Sequence, residues 1–408
     1  MKQNKHWKVL TVCCGLAAAS IGVSINSSGV FYTPVSESLG IMRGTFAMHM
    51  TIFSIVTAIM ALFVPKLMQM FSYKKILITS VTVAVLSTAA MALSKSVTMF
   101  YILGALRGMS SGLFSIMPLT MIINQWFHKS HGFATSLAFG FSGIAGAICS
   151  PILTMVIESY GWQAGYVMKA LIILGLCLPA ILYRFEIDPQ KENLQAYGFE
   201  GIQEKTAEES SKSFSLLTIG FICFFVFALI NTAISGITQH LPGFASSIGM
   251  TSTIGAMLLS AGMVGNIVSK LIIGVMSDKF GIIKATLTMM IVNVLGIVII
   301  MTSSLPGFMI VGAFLFGSTY SIGAVGVPLL TRHFFGQENY TKAFPSISFA
   351  SNVGSAISLT LAGYIYDFTG SYIPAFVMCL IINMVCFGLI FIVKYIQTKK
   401  IQVIVETI

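Results

Sequence analysis

The run Phe214–His240, FSLLTIGFICFFVFALINTAISGITQH, passes 27 residues without an Asp, Glu, Lys or Arg. A hydrocarbon core of about 30 Å is crossed by roughly 20 apolar residues wound as a helix. Lipid offers no partner to a bare N–H or C=O, so an unbroken apolar run of this length reads as a helix; barrel strands alternate instead. Eleven more such runs flank it. The twelve spans fall at 9–32, 44–64, 76–94, 98–123, 132–156, 163–183, 214–240, 252–277, 282–304, 306–331, 342–366 and 371–396. The whole chain agrees with this local reading, being 56% hydrophobic and 9% charged, where soluble domains carry about 25% charge. An all-α membrane protein is expected.

The net charge of +10 does not point to nucleic acid, because no soluble basic domain carries it. Topology accounts for it. With a cytoplasmic N-terminus, 18 of the 23 Lys and Arg fall on the inner side, against Arg43, Lys95 and Lys169 outside and Arg107 and Lys270 within the membrane. That asymmetry obeys the positive-inside rule. A multi-pass protein of the cytoplasmic (inner) membrane with both termini cytoplasmic is therefore expected. Met1–Lys8 followed by Ala17-Ala18-Ala19 has the outline of a cleaved signal, but the apolar run continues to Tyr32, too far for a signal core. The seven cysteines all lie in spans without paired spacing and read as apolar thiols, with neither disulfide nor metal implied.

Residues 184–213 form the one long polar stretch, which divides the chain into an N-terminal bundle, 1–183, a cytoplasmic linker, and a C-terminal bundle, 214–408. The linker reads as a solvated tether, with a docking segment as the alternative. Across it the chain resembles itself. Ile25-Asn26-Ser27 returns as Ile230-Asn231-Thr232, Ser38-Leu39-Gly40 as Ser247-Ile248-Gly249, and Gly104-Ala105 as Gly312-Ala313. The near-constant offset marks a duplicated six-helix unit, and paired halves of this kind place a substrate near the membrane midplane between them.

After the eighth span comes Gly274-Val275-Met276-Ser277-Asp278-Lys279-Phe280-Gly281, which resembles the G-x-L-x-D-(R/K)-x-G motif of the major facilitator superfamily. The resemblance implies that superfamily's fold of twelve helices in two pseudo-symmetric halves, with Gly274, Asp278 and Lys279 in a gating role. There Gly274 would let helices approach, Asp278 would accept hydrogen bonds at a helix end, and Lys279 would add inside charge. The matching loop of the first half, Pro65–Lys74, has lost the glycine and the acid. Two further stretches resemble the monocarboxylate transporters and oxalate/formate antiporters. They are Trp126-Phe127-His128-Lys129, followed by Gly132, Gly140, Gly143 and Gly146, and Lys270-x-x-x-Gly274-x-x-x-Asp278, where those families carry arginine at the first position. Proton-coupled members have Asp at the position of Asn266, so the resemblance here leans toward exchange or uniport, with Arg107 or the substrate itself left as a route for protons. Dianion antiporters add a cation in the eleventh helix, where this chain has Ser351-Asn352; a monoanion or zwitterion is favoured.

Single residues carry two readings each. A charge at the depth of Lys270 costs at least ~2.5 kcal/mol and normally faces a cavity, although it could also snorkel or pair with Asp278. Arg107, in Arg107-Gly108-x-x-x-Gly112, is equally a substrate or coupling group and a structural arginine bonded to the first helix. Asn26 and Asn231, with Tyr320 and Asn352, are expected to line the cavity. Arg43, His49 and His240 sit near outer helix ends and read as interfacial residues in water or headgroups. No phosphate loop, metal cluster or catalytic constellation appears, so neither an enzyme nor an ATP-driven pump is expected, and no cofactor. Two intramembrane cations without an intramembrane carboxylate point to a carrier of a small organic anion, monocarboxylate-like, running as exchanger or facilitator, and a monomer is expected. A multidrug or sugar-phosphate carrier, with or without proton coupling, is the alternative.

Overall fold

The computed structural model describes residues 3–127, 131–198 and 218–406. The linker beyond residue 198 and His128 and Lys129 of the fifth-span motif lie outside them. Ten runs among the described residues are long and apolar enough to cross a membrane. One of the ten, Leu137–Leu182, is two helices joined at Gly161. A further helix, 337–369, is not among them, because Ser346, Ser348, Ser351, Asn352 and Ser355 dilute its apolarity. Twelve helices result, and no strand is present among the described residues.

Helix α1 runs from Gln3 to Leu39 as a succession of turns of different pitch. Gln3–Ala17 is α-helical, Ala18–Asn26 is π-helical, Ser28–Phe31 is a 3₁₀ turn, and Tyr32–Leu39 is again α-helical. Helix α2 is Arg43–Met70 and α3 is Tyr73–Ala90 with Met91–Leu93. Helix α4 is Val97–Gly112 extended by Ile116–Trp126. His131–Leu182 holds α5 and α6, divided at Gly161 (φ 86°, ψ 165°), and Gly336 (φ 79°, ψ 164°) likewise divides α10 from α11 within the run Val327–Thr369. Positive φ of this kind is open to glycine at little cost. Helix α7 is Ile219–Ile237 prolonged to Ser247, α8 is Ser252–Phe280, α9 is Ile282–Thr302, α10 begins at Pro306, and α12 is Ile373–Glu406. The described start of the linker is not a free tether. Trp126 Nε1 donates to the Glu186 carbonyl, His6 bonds the Gln195 carbonyl, and Lys5 pairs with Glu192.

Both halves use the same internal joint. In the first, Asn26 Nδ2 of α1 donates to the Ser142 carbonyl of α5 at 3.3 Å, and Gly146 lies against Asn26. In the second, Thr232 Oγ1 of α7 donates to the Ser351 carbonyl of α11 at 2.7 Å, and Gly354 lies against Leu229 and Thr232. The structural counterpart of Asn26 is thus Thr232, one residue from the Asn231 that the sequence repeat pairs with it.

The hydrogen bonds joining the two halves gather at the end away from the chain termini, the far end. The Asp367 carboxylate of α11 accepts the first N–H groups of α2, from Arg43 at 2.9 Å and Gly44 at 2.7 Å. A carboxylate on a helix N-terminus meets its unpaired donors and its positive dipole, an arrangement worth about 1 kcal/mol. The Arg43 guanidinium donates to the Gly243 carbonyl and Tyr372 hydroxyl, pairs with Glu37, and lies 4.1 Å from the Tyr366 ring centre. Thr51 and Thr360 hydroxyls meet at 2.7 Å, and the Gly29 N–H donates to Gln239 Oε1. His240 bonds the Leu359 carbonyl and Tyr372, and His49 bonds the Phe46 carbonyl. Arg43, His49 and His240 are therefore all buried, at 7%, 1% and 2% exposure, which corrects their interfacial assignment. Position along the helix does not distinguish a headgroup neighbour from a closed seam between halves.

Toward the termini the halves part. Ile267 of α8 still seats against Gly143 of α5, but Gly140, one turn on in α5, and Gly274, two turns on in α8, face open space. Gly274 thus mediates no close helix approach in this conformation, unlike the role expected from the motif. Two outcomes are expected. Gly265→Ala, whose Cβ would stand 1.8 Å from the Phe314 carbonyl oxygen, should cost about 1–3 kcal/mol and lower the melting temperature, whereas Gly274→Ala should melt as wild type. Thr51→Cys with Thr360→Cys should cross-link under oxidant, seen as a gel mobility shift that reduction reverses, because the two hydroxyls already meet across the halves.

Candidate functional site

The interior polar groups are ordered around α1. Its π-helical turn, marked by the Ser27 N–H bonding Gly22 O at 3.2 Å, is a widened turn of the sort that recurs at functional sites. Arg107 of α4 reaches this turn and donates from Nη2 to the Ser24 carbonyl at 3.2 Å, while Nη1 lies 3.6 Å from Met91 Sδ. Its guanidinium carbon stands 5.2 Å from the Phe53 ring centre, and its exposure is 1%.

Lys169 of α6 meets α1 one turn further on. Its ammonium donates to Ser28 Oγ at 2.7 Å and lies 5.2 Å from the Phe31 ring centre, and it too is 1% exposed. Counting it among the outer positive charges is wrong: it points into the bundle. The legible signal was the spacing Trp162, Tyr166, Lys169 on one face of an otherwise apolar helix. Among the described residues neither Lys169 nor Arg107 has a carboxylate partner. Among the described residues, Lys169 thus joins Arg107 and Lys270 as a cation within the helices that has no carboxylate partner.

Lys270 stands apart from them, half-buried on α8 on the same face as Ile267, which touches α5. No hydrogen bond or ion pair holds it among the described residues, so the pairing with Asp278 is not formed. Asp278 and Lys279 are at the terminal end of the same helix. Asn266, one turn toward the far end, is buried with Oδ1 unpartnered, and its backbone N lies against Gly317 of α10.

The other expected residues divide. Tyr320 of α10 bonds Thr238 and Gln239 through its hydroxyl and packs onto the core of the first half, so it bridges the halves. Asn26 belongs to the α1–α5 joint described above. Asn231 is fully buried with its amide toward the Cys386 thiol of α12. Asn352 is exposed and donates to the carbonyl one turn back, that of Ser348. Groups that sequence reasoning missed, Lys169, Ser28, Tyr32 and Gln239, all cluster at the junction of α1, α6 and α7. Single Ser, Tyr and Gln residues carry no period, and only the fold brings them to one place.

In sequence and in fold the chain is similar to known proteins. The chain resembles monocarboxylate transporter 12 of Rattus norvegicus, at 22% identity over 74% of this chain and 68% of that protein. It also resembles the uncharacterized MFS-type transporter YcxA of Bacillus subtilis, at 24% identity over 87% of each. The fold superposes on the crystal structure of a point mutant of the nucleoside transporter NupG, with a TM-score of 0.68 over 95% of this chain and 99% of that one, at 12% identity. The family model of the Major Facilitator Superfamily matches residues 12–267 and again 216–403. With both halves of the bundle matched and its twelve helices in place, the chain belongs to the Major Facilitator Superfamily.

Proposed function

We propose that this chain carries a small organic anion, monocarboxylate-like, across the cytoplasmic membrane by alternating access, running as an exchanger with both termini in the cytoplasm. The observation that carries the reading is the charge of the interior: Arg107, Lys169 and Lys270 lie within the helices, and no Asp or Glu faces them among the described residues. A cationic substrate would call for the reverse. The relative named for monocarboxylate transport supports the same class.

In this conformation the far end is sealed and the parted terminal end admits solute from the cytoplasm. Lys270, unpaired beside the cleft, is the first cation an entering anion meets; it acts as a point charge with three donors. Anion binding then compensates charge that the closed bundle would otherwise hold unpaired. Crossing empty means enclosing an uncompensated cation, at a cost of several kcal/mol after relaxation. Loaded exchange should accordingly outrun net flux. Asn266 cannot hold a proton, so no acid beside Lys270 exists to neutralise it on an empty return.

Proteoliposomes test the reading with labelled formate, lactate, pyruvate and oxalate, alongside an amino acid and a cationic drug. Counterflow of an anion faster than its net uptake is expected, and transport of the drug alone would sink the reading. Lys270→Gln should lower anion counterflow by roughly tenfold or more without loss of folded protein, and Lys270→Arg should retain part of it, because charge is what is removed. Asn266→Asp should make uptake respond to an inward proton gradient; a wild type whose net uptake is already proton-driven and as fast as exchange would refute the exchanger.

A further inference from the structure

Donors outnumber acceptors at the junction of α1, α4 and α6. An ammonium has three N–H donors and a guanidinium five, yet Lys169 uses one on Ser28 Oγ, and Arg107 one on the Ser24 carbonyl and one on the weak acceptor Met91 Sδ. Ser28 Oγ itself donates to that carbonyl at 2.8 Å, so both cations rest on one turn of α1. They are near enough to repel each other. Two more buried donors there have no partner among the described residues. One is the Tyr32 hydroxyl, which lies in the electrostatic reach of Arg107, Tyr166 and Tyr320; the other is Trp162 Nε1, on a ring 6.2 Å from that of Tyr166. A site with surplus donors and surplus positive charge is complete only with a ligand rich in acceptors.

We propose that Lys169 and Arg107, with the Tyr32 hydroxyl, form a carboxylate-binding subsite distinct from Lys270, the station at which the substrate anion is loaded from and released to the far side. The inference rests on the organic-anion reading above and adds a second station to it. A carboxylate offers two oxygens in one plane, which suits a guanidinium fork on one and an ammonium on the other. The walls are aromatic, with Phe31 tilted against Tyr166 at 4.3 Å between ring centres and Phe53 beneath Arg107. They favour a carbon skeleton over a hydrated inorganic ion. Lys270 lies 18 residues along α8 from Ser252, and Lys169 only 8 beyond the break at Gly161. At 1.5 Å per residue the two stand about 15 Å apart along the bundle axis, more than one short carboxylate spans. Here the subsite is roofed by the contacts of α1 with α7 and by Tyr320; parting of the far end would uncover it.

Equilibrium binding of radiolabelled lactate and oxalate to the purified chain in nanodiscs tests this, with chloride and phosphate as competitors. In a Lys270→Gln background, which silences the other station, Lys169→Gln and Arg107→Gln should weaken carboxylate binding roughly tenfold or more, while Lys95→Gln, in an exposed loop, leaves it unchanged and neither inorganic ion competes. Lys169→Gln binding as well as its Lys270→Gln parent, or displacement by chloride as effective as by lactate, would overturn the subsite while leaving the anion reading standing. Wild type that binds neither carboxylate would overturn both. Should Lys169→Gln not fold, Lys169→Arg decides: a changed ratio of lactate to oxalate affinity supports contact, and an unchanged ratio rejects it.

Discussion

Positive charge buried without negative charge is the condition around which this bundle is arranged. In water an Arg or Lys is satisfied by solvent; inside a helix bundle every donor left over costs free energy. The first half meets that cost with backbone, hydroxyl and ring. The π-helical turn of α1 presents the Ser24 carbonyl to Arg107, Ser28 turns a hydroxyl to Lys169, and Phe31 and Phe53 offer ring faces where acceptors are absent. Rings attract cations through their quadrupoles, but more weakly than a carboxylate would. The site is stabilised enough to fold and leaves donors over, which under the proposed function an anion would complete.

Where carboxylates do occur near the seam, they serve the gate. Asp367 accepts two backbone donors from the start of α2, and Glu37 pairs with Arg43. Their exposure is greater than that of the interior cations, so separating them returns each to water at modest cost. A seal built of a helix N-terminus, a threonine pair and a ring stack holds through many small terms. Such a seal can open on a thermal timescale, whereas a buried salt bridge would not release as readily.

The sequence was legible where a pattern repeats. Continuous apolarity defined the helices, and the glycines Gly161 and Gly336 fall in two of the expected breaks. Charge asymmetry and the Gly274–Gly281 motif carried the family. What failed was assignment by distance from a helix end: Lys169, Arg43, His49 and His240 were all read as outer residues, yet they turn inward. A span reports depth but not azimuth, and an apolar helix with lipid on one side and protein on the other has too weak a polar period to supply it. The repeat of Asn26 with Asn231 failed for a related reason. A one-residue shift rotates a side chain by about 100° on a helix, enough to move Asn231 from the α11 joint to Cys386 on α12 while Thr232 takes its place.

That shared joint also bears on how the molecule moves. Asn26 to Ser142 and Thr232 to Ser351 tie α1 to α5 and α7 to α11, and Gly146 and Gly354 let those pairs meet almost backbone to backbone. Close contacts of this kind without bulky side chains resist shear, since any sliding drives a carbonyl into a neighbour. Between the halves glycine also brings backbones together, Gly29 against Gln239 and Gly44 against Gly363, beside contacts of hydroxyl to hydroxyl, carboxylate to helix end and ring to guanidinium. The two internal joints fix Arg107 and Lys169 within the first half and Lys270 within the second, so under the proposed function any rocking of the halves would carry these cations relative to one another.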